Sequence, residues 1–225
     1  LQIQTNVFTA AHAVGVDRLL FLGSSCIYPR LARQPMAESA LLTGLLEPTN
    51  QWYAIAKISG VMTTQAYRRE HQRDYISCMP TNLFGPGDSF DLHESHVLTA
   101  LMVKAHRAKI ERSESFEVWG TGTPKREFLF VEDLAEACVF LLEHYSDDET
   151  INVGSGSDIT IAALAKVVAK VIGFKGIITH DLNKPDGMPR KLLDSSKINA
   201  LGWNARTSLE EGIAKTYSWY LDHVA

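Results

Sequence analysis

The sequence predicts an α/β fold, with a doubly wound parallel sheet and a smaller C-terminal α/β domain. Three observations lead to this prediction. The first third of the chain alternates helix, strand, helix and strand, which is typical of parallel strands joined by crossover helices. The apolar strand segments are short, and the first is followed at once by Gly-Ser-Ser. Polar residues at such strand exits lie where ligands bind in open parallel sheets, so we expect a Rossmann-like arrangement.

The composition excludes several classes of function. The chain has 225 residues, 45% of them hydrophobic and 21% charged, with a net charge of -4. This balance provides neither a basic surface for nucleic acid nor a polybasic patch for a membrane, and no apolar stretch approaches the roughly 20 residues that span a bilayer. The three cysteines are an odd number at wide spacing. They favour a reducing compartment over a disulfide framework, so we expect a cytoplasmic protein.

The chain opens at Leu1 on a helix pattern rather than at a methionine. Apolar residues at helical spacing predict a helix over roughly residues 1–14, ended by Gly15. The apolar face of this helix consists of Val7, Ala10, Ala11 and Val14. The run Leu19–Leu22 then predicts a buried strand.

A long loop and a second helix follow. Residues 29–50 combine Pro, Gly and polar residues, and a loop of this length in a compact domain is more often functional than idle. The next helix is predicted from about Gln51 to Gln72, with Thr49 or Asn50 as its N-cap. Residues 75–79 predict a second short strand.

The character of the sequence changes near residue 88, where we place a soft boundary. Residues 1–88 are predicted to hold half of a dinucleotide-binding domain, and residues 89–225 mainly a substrate domain, with elements interleaving across the boundary. The later elements predicted are a helix beginning near His96, strands at Phe116–Trp119 and Phe128–Val131, a helix through Tyr145, a strand and turn in TINVGSGS, a helix after Thr160 ended by Gly173, and a last helix.

The last helix begins at a capping-box pattern formed by Ser208 and Glu211. The inner face of this helix is predicted to consist of Leu209, Ile213, Tyr217 and Leu221.

Tyr53 and Lys57 lie four residues apart in YAIAK, which places them on one face of the second helix. A phenol titrates near 10 and exchanges protons poorly at neutral pH unless its anion is stabilised. A lysine ammonium one turn away would supply that stabilisation. A Tyr-x-x-x-Lys pair also arises by chance, so this motif is weak by itself.

Ser24, at the end of the predicted first strand, makes the Tyr-x-x-x-Lys motif more specific. A hydroxyl about 30 residues before Tyr-x-x-x-Lys resembles the ordered pattern of the short-chain dehydrogenases/reductases, in which the serine steadies the substrate oxygen while tyrosine and lysine handle its proton. PTNLFGPGD resembles the segment of the extended subgroup that lies along the nicotinamide. The cofactor-binding residues implied by this resemblance are Leu22, Gly23, Ser24, Ser25, Tyr53, Lys57, Pro80, Thr81, Asn82, Leu83 and His96.

Further segments narrow the resemblance. GSSCIYP, QPMAES, EPTN, SHV, VWGTGTPKREF and KPDGMPRKLLD together resemble the GDP-L-fucose synthase family of GDP-4-keto-6-deoxymannose epimerase/reductases, over essentially the whole chain. The resemblance implies epimerisation at the two carbons that flank a ketone, followed by reduction of the ketone with NADP(H). Proton exchange next to a carbonyl needs a base and an acid, and the family residues for these roles match Cys26 and His96. No metal site is expected.

The same resemblance implies which residues bind a GDP-sugar and which helices pair two subunits. Substrate contact is implied for Lys104, Trp119, Arg126 and Asp186. The helices at residues 1–14 and 51–72 correspond to the elements that pair two subunits in related enzymes, so a homodimer is expected.

The glycine-rich turn that cradles phosphates in this family has no counterpart here. INVGSGSD has two glycines without the third and reads as an ordinary turn. Roughly the first 80 residues of the family pattern are absent, including the adenosine and pyrophosphate sites. We therefore expect these 225 residues alone to be inactive and poorly stable, and they do not decide between NADP and NAD.

Two alternatives stay open at this point. Another extended short-chain enzyme, such as a nucleotide-sugar 4-epimerase, would use the Ser/Tyr/Lys set without needing Cys26 and His96. A truncated paralogue could instead serve as a binding or dimerisation module.

Overall fold

The computed structural model describes residues 1–92 and 95–225, and the chain divides into two compact units. Each unit is assembled from early and late parts of the sequence. Unit 1 comprises Leu1–Thr81, Leu134–Gly156 and Leu192–Ala205, and unit 2 comprises Asn82–Asp133, Ser157–Lys191 and Arg206–Ala225.

The helices and strands follow the α/β alternation predicted from sequence. The strands are β1 (Arg18–Leu22), β2 (Asp74–Pro80), β3 (Asn82–Phe84), β4 (Ser115–Trp119), β5 (Lys125–Phe130), β6 (Ile151–Val153), β7 (Asp158–Thr160), β8 (Ile177–Asp181) and β9 (Arg190–Lys191). The helices are α1 (Gln2–Ala13), α2 (Gln51–His71), α3 (Val97–Ile110), α4 (Val131–His144), α5 (Ile161–Ile172), α6 (Ser196–Ala200) and α7 (Leu209–His223). The short strands β7 and β9, the strand β8 and the helix α6 had no clear signal in the sequence.

The sheet of unit 1 is parallel, with the strand order β1-β2-β6. Its central strand β2 is buried over most of its length, whereas β1 lies at the edge and is only partly buried. The prediction of a buried first strand was therefore wrong, since its residues are half-buried or exposed. Leu22, for example, is 40% exposed, because among the described strands β1 has a neighbour on one side only.

Helix α1 contacts the rest of unit 1 through an aromatic side chain rather than through the predicted apolar face. Phe8 is its buried residue and lies 5.8 Å from the ring of Tyr67 on α2. Val7 and Val14 of the predicted face are 53% and 78% exposed. The spacing found an apolar stripe correctly, but that stripe does not pack on unit 1.

Helix α2 begins where predicted, and its capping differs from the prediction. Asn50 occupies the N-cap position but its side chain makes no capping hydrogen bond. Gln72 ends the helix in the left-handed conformation, with φ of 52°. The loop before α2 contains one short 3₁₀ turn at Glu38–Ala40.

In its described residues, unit 2 combines two small sheets with three helices around its own hydrophobic core. β5 pairs with β3 and β9 in parallel and with β7 in antiparallel fashion, and β4 pairs with β8 in parallel. The Thr160 hydroxyl caps α5 by accepting from the Ala163 N–H at 3.1 Å, as predicted. The core residues come mainly from α3, α5 and α7.

The last helix shows one error in its predicted inner face. The Ser208 hydroxyl accepts from the Glu211 N–H, and Ile213 and Tyr217 are buried, as expected. Leu221, however, is 45% exposed, while Tyr220 is 5% exposed. The buried stripe therefore follows the 3.6-residue period through position 220 rather than the four-residue step to 221.

Among the described residues, no helix combines the length and apolar character needed to cross a membrane.

Candidate active site

The chain leaves β1 through a tight turn that presents a hydroxyl and a thiol. The Gly23 N–H donates to the Cys78 carbonyl at 2.9 Å and so continues the pairing of β1 with β2. Ser24 then caps a 3₁₀ turn over Ser25–Ile27, because its Oγ accepts from the Cys26 N–H at 3.2 Å. The side chains of Ser24 and Cys26 are both partly exposed at this strand end.

Gly23 lies close to the Met79 side chain at the strand end. A Cβ at this position would lie 2.3 Å from both Sδ and Cε of Met79. Gly23 is buried at the carboxyl edge of the sheet, the edge where α/β proteins bind ligands.

Helix α2 carries Tyr53 and Lys57 to the same strand end. The Lys57 ammonium donates to the Leu22 carbonyl at 2.8 Å and lies 5.7 Å from the centre of the Tyr53 ring. It also lies 5.2 Å from the centre of the Phe21 ring. Burial lowers the pKa of Lys57, since the charged form is partly desolvated.

The pKa of Tyr53 is raised, and burial is the largest cause. A hydrogen bond with the Ser24 side chain lowers it, and the charge of a Cys26 thiolate would raise it. Stabilisation of the Tyr53 phenolate by the Lys57 ammonium stays a prediction. In this structure Tyr53 is therefore a protonated phenol at neutral pH, suited to donate a proton. These interactions bring Ser24, Cys26, Tyr53 and Lys57 together within unit 1.

A buried polar network that sequence reasoning missed supports the turn. Asn152 is fully buried, and its Oδ1 accepts from the Tyr28 hydroxyl at 2.6 Å. Its Nδ2 donates to the carbonyls of Met36 at 2.9 Å and Asp194 at 3.2 Å. Its backbone N–H donates to the Glu38 carboxylate at 2.9 Å. The sequence signal for this network was an asparagine inside the apolar INVG strand, because a buried amide must find hydrogen-bond partners.

The remaining predicted cofactor residues lie at the end of β2 and at the start of unit 2. Pro80 ends β2, and the N–H of the buried Thr81 donates to the Val153 carbonyl at 3.1 Å. Asn82 donates from Nδ2 to the Glu127 carbonyl at 2.7 Å, and Leu83 pairs with Leu129 in the sheet of unit 2.

His96 occupies the N-cap position of α3 in unit 2 and is exposed. Its backbone carbonyl accepts from the Thr99 hydroxyl at 3.1 Å, and its imidazole makes no capping bond. The meeting of this imidazole with Cys26 stays a prediction.

Three of the predicted substrate residues lie together in unit 2. The Lys104 ammonium lies 4.9 Å from the centre of the Trp119 ring and donates to the Glu117 carbonyl at 3.0 Å. Asp186 lies against the turn that follows Trp119, where it accepts from the Thr121 N–H at 2.7 Å and from the Thr121 hydroxyl at 2.9 Å. Gly120, at φ of 72°, leaves the space that this carboxylate fills.

Arg126 uses part of its guanidinium to hold the backbone. Its Nη1 donates to the Lys125 carbonyl at 2.8 Å and to the Met188 carbonyl at 2.6 Å. Burial lowers its pKa. The side chain therefore anchors the segment that contains Asp186, in addition to any contact with a ligand.

The described residues fit the nicotinamide half of a dinucleotide. The side-chain-free Gly23, the carboxyl ends of β1 and β2, and the Tyr53–Lys57 pair could line that half. The turn that would hold the pyrophosphate is not part of this sequence.

A parallel sheet with a serine at a strand exit, and a Tyr-x-x-x-Lys pair on the next helix, defines the class of the extended short-chain dehydrogenases/reductases. Residues 1–154 match the NAD dependent epimerase/dehydratase family, and the chain belongs to that family.

Comparison with curated proteins finds similar relatives of one enzyme type within this family. The chain is 59% identical to GDP-L-fucose synthase 1 of Arabidopsis thaliana over 224 residues, which cover 100% of this chain and 69% of the relative. It is 50% identical to GDP-L-fucose synthase of Escherichia coli K12, covering 99% of this chain and 72% of the relative. The resemblance inferred from the motifs is thereby confirmed.

Solved structures agree with this grouping. A GDP-L-fucose synthetase from Naegleria fowleri, bound to NADP, matches with a TM-score of 0.91 at 28% identity over 97% of this chain and 70% of that one. A GDP-6-OMe-4-keto-L-xylo-heptose reductase from C. jejuni matches with a TM-score of 0.92 at 30% identity, over 98% of this chain and 74% of that one.

Proposed function

We propose that the protein converts GDP-4-keto-6-deoxy-D-mannose to GDP-L-fucose, by epimerisation and NADPH-dependent reduction. The observation that carries this proposal is the grouping of Ser24, Cys26, Tyr53 and Lys57 at one strand end, in a chain 59% identical to a GDP-L-fucose synthase. A 4-epimerase would use the Ser/Tyr/Lys set, but a thiol beside the phenol has no task in that reaction.

The phenol of Tyr53 is the proton donor in the reduction. A bound NADPH would supply the hydride for the ketone carbon, and the phenol of Tyr53 would give its proton to the developing alkoxide. The raised pKa of Tyr53 keeps that proton in place at neutral pH. Ser24 is placed to hydrogen-bond the same ketone oxygen, and Lys57 fixes the geometry through its bond to the Leu22 carbonyl.

Cys26 and His96 are proposed as the base and the acid of the epimerisation. A hydrogen next to the ketone is acidic because its removal gives an enolate. Cys26 removes this proton as a thiolate, and His96 returns one to the opposite face of the sugar ring. The same pair acts at both carbons that flank the ketone.

The nucleotide part of the substrate is proposed to bind unit 2. Trp119 offers an exposed indole face, Lys104 and Arg126 offer positive charge for the diphosphate, and Asp186 accepts hydrogen bonds from hydroxyl groups. NADP(H) is the proposed dinucleotide, held on its nicotinamide side by residues 22–25 and 80–83. The cysteine usage supports a cytoplasmic location.

A homodimer formed through α1 and α2 is part of the proposal. Ile3, Val7 and the C-cap residue Val14 are exposed and lie four and seven residues apart, on one face of α1. Trp52, Ile55 and Met62 form an exposed stripe of the same kind on α2. Two such stripes side by side suit helix packing against a second copy.

Exchange of substrate hydrogens with deuterated water tests the proposal, with the full-length protein. The wild type should incorporate deuterium at both carbons beside the ketone and consume NADPH. The variant Cys26→Ser should lose incorporation by at least about a hundredfold, as expected for removal of a general base. The matched variant Tyr53→Phe should keep incorporation and lose NADPH consumption. Full exchange in Cys26→Ser would contradict the role of the thiol.

A further inference from the structure

Two lysine side chains lie against one exposed indole ring in unit 2. Besides Lys104, the ammonium of Lys184 lies 5.1 Å from the centre of the Trp119 ring. Trp119 is 53% exposed, so this grouping is open to a ligand. Either cation alone is an ordinary cation–π contact. Two like charges beside one ring repel each other, and this arrangement calls for a further explanation.

The segment that follows β8 holds Lys184 in this position. The Lys184 N–H donates to the Asp181 carbonyl at 3.2 Å, and the Gly120 N–H donates to the same carbonyl at 2.9 Å. Two residues further on, Asp186 is bound to Thr121 through two hydrogen bonds. Contacts on both sides of Lys184 therefore tie its backbone to the turn after Trp119.

The charges around the ring leave the two ammonium groups only partly compensated. Burial lowers the pKa of Lys104, and the charge of Lys184 lowers it further, whereas Glu117 and Asp181 oppose the shift. In the described part of the chain, neither lysine takes part in a salt bridge. Two nearby cations with no ion-pair partner are suited to a ligand with more than one negative charge.

We infer that Lys184 is a second binding residue for the diphosphate of the nucleotide sugar, acting together with Lys104 beside Trp119. This inference rests on the proposed function and deepens it. Part of the Arg126 guanidinium is bonded to two backbone carbonyls and the Lys104 ammonium to one. An ammonium is nevertheless a compact charge that can follow phosphate oxygens. Lys184 is the first residue of the KPDGMPRKLLD segment, in which the sequence resemblance assigned substrate contact to Asp186 only.

Calorimetric titration of the full-length protein with GDP and with guanosine tests this inference. Lys184→Gln should weaken GDP binding about tenfold, the size expected for loss of one charge-assisted hydrogen bond, and should leave guanosine binding within about twofold. Lys175→Gln removes an exposed positive charge elsewhere in unit 2 and should leave both affinities unchanged. Lys184→Arg should keep most of the affinity for GDP.

The outcomes separate this inference from the proposed function. If the wild type binds GDP and Lys184→Gln binds it equally well, the role of Lys184 is wrong while the proposed function stands. If Lys184→Gln loses GDP and guanosine equally, the lysine supports the fold around Trp119 and does not contact phosphate. If the wild type binds neither ligand, the proposed function itself fails.

Discussion

The proton chemistry of the site depends on the local surroundings of one side chain, Tyr53. Burial raises the pKa of its phenol, and the hydrogen bond with Ser24 acts in the opposite direction. The first effect is larger, so the group is protonated at neutral pH and loses its proton only above the ordinary value of 10.0. An acid with these properties suits the donation of a proton to an alkoxide.

Replacing Ser24 by Ala should shift the titration of Tyr53 to higher pH. The Ser24 hydroxyl stabilises the phenolate, and its loss leaves desolvation unopposed. Ultraviolet absorbance of the phenolate measures the midpoint, with the spectrum of Tyr53→Phe subtracted. Ser59→Ala, elsewhere on α2, is the control and should leave the midpoint unchanged. A midpoint that falls in Ser24→Ala would show that the serine does not favour the anion.

At the scale of elements, α2 approaches β1 closely because Gly60 has no side chain. A Cβ on Gly60 would lie 2.1 Å from Cζ of Phe21. The same Phe21 ring lies under the Lys57 ammonium. The contact of this helix with this strand therefore positions Lys57 as well as contributing to the core.

Gly60→Ala should destabilise the protein by about 1–2 kcal/mol. Overpacking against the Phe21 ring costs about 1–3 kcal/mol, and the better helix propensity of alanine returns up to about 1 kcal/mol. Urea unfolding measures the change. In a Phe21→Leu background, which leaves room for the added methyl group, Gly60→Ala should be neutral or stabilising. An equal loss in both backgrounds would rule out the steric explanation.

The network at Asn152 joins three segments of unit 1 to the turn that carries Ser24 and Cys26. Asn152→Leu should cost about 2–4 kcal/mol, because it removes the partner of the buried Tyr28 hydroxyl, the side-chain donor to the Asp194 carbonyl and one of the two donors to the Met36 carbonyl. Tyr28→Phe removes one hydrogen bond from the same network and should cost about 1 kcal/mol. Thermal unfolding of both variants gives the comparison. Equal losses would mean that the amide contributes only its bond to Tyr28.

At the scale of the whole molecule, the exposed stripes of α1 and α2 bear on assembly. Ile3 is 82% exposed on α1 and Trp52 is 75% exposed on α2. Apolar side chains this exposed on two neighbouring helices are typical of surfaces buried by a partner.

Ile3→Glu should convert the proposed homodimer to a monomer, since a buried carboxylate without a partner is costly. Sedimentation equilibrium at micromolar concentration measures the oligomeric state. Thr9→Glu adds the same charge at another exposed position of α1, off the apolar stripe, and should leave the dimer intact. A wild-type protein that sediments as a monomer would contradict the proposed assembly.

The sequence alone determined the α/β class, the approximate positions of the main helices and of several strands, and the order of Ser24, Tyr53 and Lys57 along the chain. The spacing of apolar residues, the capping residues and the residues that follow a strand are local properties of the sequence. Each depends only on neighbours within a few residues. The motifs also identified the family, because members of a family share residue types in a common order along the chain.

The tertiary structure decided which helix faces are buried and which hydrogen bonds and charges surround the site residues. It showed that Phe8 and not the predicted apolar stripe contacts unit 1, that Lys57 bonds to the Leu22 carbonyl, and that the pKa of Tyr53 is raised. It also placed Asn152 and Lys184 beside residues remote in sequence. Burial, desolvation and long-range hydrogen bonds depend on segments that meet only in the folded chain, and no local pattern encodes them.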